Sequence, residues 1–265
     1  MASVKDIFTA MDRWAPFGIQ MDFDNAGLLV GRENAPVTNV LVALDITQEV
    51  VREAVELDCQ LIVAHHPVIF HPVKSITDGE STGTVLLTLA EERIAAICAH
   101  TNLDAAEGGV NDRLAQVLGL TEPGQLCQDG VDGQGRPYGI GRVGEVHEKG
   151  LSSREYAAFV KDRLKAAGVR YVDAGRPVEK VAVGGGSCGS MLADAVAAGC
   201  DTFVTADVKY DVFLQARALG VNLMDAGHYA TENVVCPAVA DYLKQAFPEL
   251  TVTISARHRE VYGCV

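Results

Sequence analysis

Leu61-Ile62-Val63-Ala64-His65-His66-Pro67 is the stretch on which the reading of this chain turns. Four apolar residues between polar Gln60 and a proline-bounded polar step have the length of a short buried strand. A strand ending in two imidazoles delivers them to its C-terminal edge, where open α/β sheets bind their ligands. Adjacent side chains on extended backbone point in opposite directions. The pair therefore suits two metal ions, or one ion and one supporting role, better than a single ion.

The surrounding pattern alternates. A strand is predicted over 40–45, a helix over 48–58 with Thr47 as its N-cap, a strand over 60–64, a helix over 83–92 and a strand over 94–99. A further helix is predicted over about 109–118, with Gly119 as its C-terminal stop. This order predicts a largely parallel α/β sheet. Residues 121–137 (TEPGQLCQDGVDGQGRP) interrupt the rhythm and are the expected boundary. A second α/β unit follows, with strands predicted at 138–146, 169–173, 178–183, 201–205 and 221–225. Its helices are predicted from Ser152 with Glu155 as a capping box, at 190–198 and at 209–218. A helix ending near Phe247 and a strand at 250–256 close the chain. The fold class read from this is α/β, with two α/β domains of similar grammar. The expected division is 1–125 plus 226–265 for a discontinuous metal-binding domain, and 126–225 for the second. The site is expected at strand C-terminal ends in the cleft between them.

Bulk properties narrow the function classes. The net charge of −13 disfavours a nucleic-acid backbone as partner, while bound cations would leave room for a small anionic or nucleotide substrate. No apolar run approaches the roughly 20 residues of a membrane helix, and Lys5, Asp6, Asp12 and Arg13 do not make a secretory leader. A cytoplasmic location and no membrane partner are expected. Seven cysteines, none in a CxxC pair, read as reduced thiols and not as a disulfide or zinc-thiolate framework.

The chemistry-bearing residues follow predicted strands. They are Asp45 after VLVAL, His65-His66, His100 with Asp104 after IAAICA, and His228 with Glu232 after VNLMD. His65, His66, Asp104, His228 and Glu232 supply three imidazoles and two carboxylates, enough for two divalent ions with positions left for water. Asp45, His100 and Asp207 are candidates to orient those ligands or to move protons. On a helix His228 and Glu232 share one face, but Pro237 points to a helix that begins after Glu232, with the pair on an irregular turn. Gly184-Gly185-Gly186-Ser187-Cys188-Gly189 fits G-x-G-x-x-G, with Asp207 downstream. Dinucleotide binding, an anion contact and a tight structural turn all fit this pattern, and the region is too short for a two-half nucleotide fold. The sequence names no partner for His71, His147 and His258, which are read as solvated or core residues.

These stretches resemble the Nif-three-like dinuclear-metal proteins, known also as GTP cyclohydrolase I type 2 homologues. The resemblance rests on Asp24-Asn25-Ala26-Gly27-Leu28-Leu29-Val30-Gly31, Leu44-Asp45-Ile46-Thr47, Ala64-His65-His66-Pro67 and His100-Thr101-Asn102-Leu103-Asp104. Also matching are Gly108-Gly109-Val110-Asn111-Asp112, Thr205-Ala206-Asp207-Val208-Lys209-Tyr210 and Gly227-His228-Tyr229-Ala230-Thr231-Glu232. It implies a toroidal homohexamer, a trimer of dimers, with two divalent ions per subunit (zinc, iron, manganese, cobalt or nickel) on His65, His66, Asp104, His228 and Glu232. It further implies a metal-dependent hydrolase. A metal-binding scaffold without turnover is the alternative, and a dinucleotide-binding protein a more distant one.

Overall fold

A computed structural model describes all residues, Met1–Val265. The chain forms two compact units, Met1–Ala106 with Cys236–Arg259, and Glu107–Val235 with Glu260–Val265.

The first unit is built on a five-stranded sheet in the order Gly27–Val30, Ala95–Cys98, Leu61–Ala64, Asn39–Ala43, Thr251–Ile254. The last four run parallel, and Gly27–Val30 is an antiparallel edge. Leu61–Ala64 and Ala95–Cys98 are buried at every position, as strands covered on both faces must be. Helices Gln48–Glu56 and Ser81–Glu91 cover one face, packing Val50, Val51, Ala54, Val85 and Leu89 against Leu41, Ile62 and Ala96. Helix Cys236–Ala246 packs on Asn39–Ala43 and Thr251–Ile254, and its Tyr242 hydroxyl donates to the Ala10 carbonyl of helix Val4–Trp14 at 2.7 Å. Thr47 accepts from the Val50 N–H as the expected N-cap.

The second unit has a six-stranded sheet in the order Leu120–Gln125, Arg142–Val146, Lys180–Val183, Thr202–Thr205, Asn222–Asp225, Arg170–Val172. Its three inner strands from Lys180–Val183 to Asn222–Asp225 are parallel; the flanking strands are antiparallel. Strand alternation sorts the core into two layers. Val181, Val183, Val204 and Met224 meet helices Val110–Val117 and Ser153–Leu164. Ala182, Phe203 and Leu223 meet Leu192 and Ala195 of helix Leu192–Ala197 and Ala216 of Tyr210–Leu219. Ser152 and Glu155 form the predicted capping box.

The mixed α/β class is the one the sequence predicts. The 121–137 stretch is more ordered than its composition suggests: it holds the edge strand Leu120–Gln125 and a small hairpin of Gly130–Val131 with Pro137–Tyr138. Pro123 cannot donate to a ladder, and the register with Arg142–Val146 shifts between Thr121 and Gly124, a defect an edge strand tolerates. The predicted 138–146 strand is correspondingly shorter, Arg142–Val146. Helix Val4–Trp14 and strand Gly27–Val30 are elements the pattern did not announce. No helix is long and apolar enough to cross a membrane.

Candidate metal centre

In the first unit the four parallel strands finish at one edge, and each is followed by a polar residue of interest. These are Asp45 after Asn39–Ala43, His65 and His66 after Leu61–Ala64, His100 after Ala95–Cys98, and His258 after Thr251–Ile254. His65 is buried and its Nδ1 lies 2.8 Å from the Ala99 carbonyl oxygen. A carbonyl only accepts, so the proton sits on Nδ1 and Nε2 presents a lone pair. That Nε2 lies 3.5 Å from Oδ1 of buried Asp104, on the short helix Thr101–Ala105. The separation is long for a hydrogen bond, but close to the ~3.3 Å that separates two ligands around a tetrahedral ion with bonds of about 2.0–2.1 Å.

His66 Nδ1 donates to Asp45 Oδ1 at 2.6 Å, and the other oxygen of that carboxylate accepts from His258 Nε2 at 2.9 Å. Burial would raise the Asp45 carboxyl, but the hydrogen bonds from His258 and His66, and their charges, outweigh it and hold it well below the usual carboxylate range. His100 Nδ1 donates to Asp24 Oδ1 at 2.8 Å, and Asp24 Oδ2 accepts from the Thr101 N–H at 3.0 Å. Burial raises this carboxyl too; the bonds from His100 and Thr101 prevail and hold it at about 2. The rings of His65, His66 and His100 lie 5.0, 5.2 and 5.6 Å apart, and one ring nitrogen from each falls within 4.8 Å of the others.

The second unit repeats the device. Three parallel strands end in Gly184–Gly186, Asp207 and the His228–Glu232 helix. His228 and Glu232 share one face of that helical turn, followed by a 3-10 turn at Asn233–Val235 and helix Cys236–Ala246. Pro237 sits in that helix's first turn, so it breaks nothing; the irregular turn expected for the pair is a helix. His228 Nδ1 donates to Asp207 Oδ2 at 2.7 Å, while Nε2 faces Glu232 Oε2 at 2.9 Å. With Nδ1–H given to Asp207, the approach to Glu232 requires either a second proton or a cation. The donor set, imidazole with carboxylate, suits a borderline divalent ion.

The glycine run serves this cluster. Gly186 has φ +65°, and a Cβ there would lie 2.0 Å from Glu232 Oε1. Its N–H donates to Thr231 Oγ1 at 3.0 Å, the Gly185 N–H to Asn111 Oδ1 at 2.9 Å and the Cys188 N–H to Thr205 Oγ1 at 3.1 Å. These donors, which would cradle a phosphate, are therefore already committed to side chains of other elements, and the following helix, Leu192–Ala197, is a single short one. Of the three readings of G-x-G-x-x-G, the tight structural turn accounts for these contacts.

Asp45, His100 and Asp207 thus each hydrogen-bond a neighbour: Asp45 and Asp207 hold histidines, and His100 is itself held. His258, read from sequence as a solvated or core residue with no partner named, is a correction: it grips Asp45. Asp24 was missed as a functional residue, although it stands at the head of the Asp24–Gly31 stretch. His147 lines a small cavity with Tyr156 and Phe159 in the second unit.

The profile of the DUF34/NIF3 family (NGG1p interacting factor 3) matches residues 2–260. A Streptomyces coelicolor protein is 38% identical over 249 residues, covering 92% of this chain and 87% of its own. One from Clostridium perfringens is 33% identical over 243 residues, covering 91% of each. Both are named GTP cyclohydrolase 1 type 2 homolog. Among solved structures, a Bacillus cereus protein related to NIF3 aligns at TM-score 0.93 with 25% identity, covering 100% of this chain and 99% of that one. A Staphylococcus aureus protein aligns at 0.93 with 30% identity and the same coverage. The chain belongs to the DUF34/NIF3 family.

Proposed function

We propose that His65, His66, Asp104, His228 and Glu232 hold a pair of divalent metal ions, and that the protein is a hydrolase acting on a nucleotide ring or phosphoester. One observation carries this reading: His65, His66 and His228 each have Nδ1 held by an acceptor, Ala99 O, Asp45 and Asp207. This is the arrangement by which proteins fix the tautomer and aim of metal-binding imidazoles. It directs Nε2 of each toward a cation. The ligand chemistry admits zinc, iron, manganese, cobalt or nickel.

Bound divalent ions would supply acidification of a water near neutral pH and polarisation of the electrophile. The chain's own residues do the rest. Asp45 and Asp207 keep their histidines oriented and raise their basicity. His100, anchored on Asp24, is placed beside His65 and His66 to accept and return a proton. The relatives' name suggests GTP as the substrate, with water adding to its imidazole ring and formate leaving. Formate release and GTP consumption by metal-loaded protein, compared with His66→Ala, test this. Turnover equal to that of the variant would remove the GTP assignment. Tight metal binding with no turnover on a panel of nucleotides and phosphoesters would leave a metal-binding scaffold. Assembly as a homohexamer belongs to the same reading, and light scattering tests it.

A further inference from the structure

Phe70 is 38% exposed and Phe23 is 65% exposed, although both are large apolar rings in the unit that carries His65 and His66. Phe70 contacts His100 at 5.9 Å between ring centres, Phe23 at 6.5 Å and His71 at 4.8 Å. Each of these contacts is edge-on, at interplanar angles of 89°, 71° and 63°. None of the three rings lies parallel against the face of Phe70. One of these neighbours, His100, is itself anchored by Asp24. The Asn25 side-chain amide donates to the Ile69 carbonyl at 2.5 Å, tying the Asp24 turn to the segment that bears Phe70.

A cavity of about 580 Å³ opens along this segment, lined by Phe70, His71, Val73 and Lys74 among others. The volume is that of a small-ligand site. A second cavity of about 250 Å³ reaches Asp45 and His66, and shares Pro67, Val68 and Thr82 with the first. The two cavities thus flank the same Pro67–Val68 segment, one on the His66 side and one along Phe70. The larger cavity is also lined by Lys74 and Glu80, with His71 three positions before Lys74.

We infer that Phe70 is the platform on which the planar base of a nucleotide substrate stacks, with Phe23 at its edge. The inference rests on the reading of the neighbouring histidines as a metal-dependent nucleotide site, and names a residue that selects a base-bearing substrate. Stacking of a base on an aromatic side chain tolerates any base, because every base has a π-face. None of the three neighbouring rings supplies the offset-parallel stacking partner that an aromatic ring favours.

The test uses full-length protein and 2-aminopurine riboside triphosphate, whose fluorescence falls on stacking, with inorganic tripolyphosphate as a probe lacking a base. Metal content and molar mass are measured on the same samples. Phe70→Leu should weaken the aminopurine probe on the order of 5- to 100-fold, and Phe70→Trp should restore quenching and affinity. Tripolyphosphate affinity, metal content and mass should match across all three proteins. Equal probe affinity for wild type and Phe70→Leu overturns the inference. So does equal loss of both probes, no saturable binding to the wild type, or loss of affinity that tracks a change in mass. The last result makes Phe70 a contact between copies. If Phe70 dependence persists in protein that takes up no metal, the platform stands and the metal reading falls.

Discussion

The imidazole of His66 and the carboxylate of Asp45 are joined by a 2.6 Å hydrogen bond through Nδ1, across 21 positions of sequence. The bond does more than place two side chains together. It fixes which nitrogen of His66 carries the proton, and so which one offers a lone pair. Asp45→Asn keeps the shape of this contact and removes its charge. It is expected to weaken metal affinity by about 10- to 100-fold while the fold persists. Competition against a chromophoric chelator, with circular dichroism as the fold control, measures it. Unchanged affinity would show that Asp45 only packs.

Gly186→Ala tests how the second cluster is accommodated. Two costs apply: a left-handed φ, about 1–2 kcal/mol for a non-glycine residue, and a Cβ 2.0 Å from Glu232 Oε1. Gly119 also has a left-handed φ, +70°, but no atom within 4 Å of an added Cβ. Gly119→Ala should therefore show the backbone cost alone. Gly186→Ala should lose more stability in denaturant titration and also disturb metal binding. Equal losses would mean that Glu232 simply moves aside.

Asp24 sets an acid limit. Its carboxyl is held at about 2, against an ordinary 3.8, and its side chain is fully enclosed. A depressed folded-state value means stability that is present above about pH 4 and lost as pH falls toward 2, worth about 2 kcal/mol when complete. Asp24→Asn should accordingly be less stable than wild type at pH 6, with the gap closing between pH 4 and 2. A gap independent of pH in metal-free protein would place the cost in packing instead of charge.

The buried Tyr156 hydroxyl makes no hydrogen bond within the chain, and burial pushes its pKa well above the ordinary phenol value. Enclosing such a group without a partner costs more than it returns. Tyr156→Phe, which keeps the ring stacked 5.5 Å from Phe159, should leave stability unchanged or raise it by up to about 1 kcal/mol. A loss of stability on urea unfolding would contradict this.

The parts of this design that were legible in sequence are those set by local pattern. Apolar runs such as Leu61–Ala64 and Ala95–Cys98 are short and continuous because both sheet faces are covered, and a polar residue directly behind such a run must sit at the sheet edge. That logic reaches His65, His66, His100 and Asp45. It does not reach Asp24 or His258, whose partners lie 76 and 213 positions away and whose roles exist only once the sheet has formed. The glycine run was ambiguous for the same reason. Its spacing alone admits a phosphate cradle; only the commitment of its N–H groups to Asn111, Thr231 and Thr205 decides the matter. Composition misled at Pro123, because an edge strand needs fewer donors than a central one.

The claim on which the rest depends is that imidazoles aimed by Ala99, Asp45 and Asp207 serve a cation. Elemental analysis of exhaustively dialysed protein addresses it most directly, on wild type, His66→Ala and Glu232→Gln. About two divalent ions per chain are expected in the wild type, with a clear fall in each folded variant. Wild-type protein that retains no stoichiometric metal, and gains none when titrated with zinc, iron or manganese, would contradict the account.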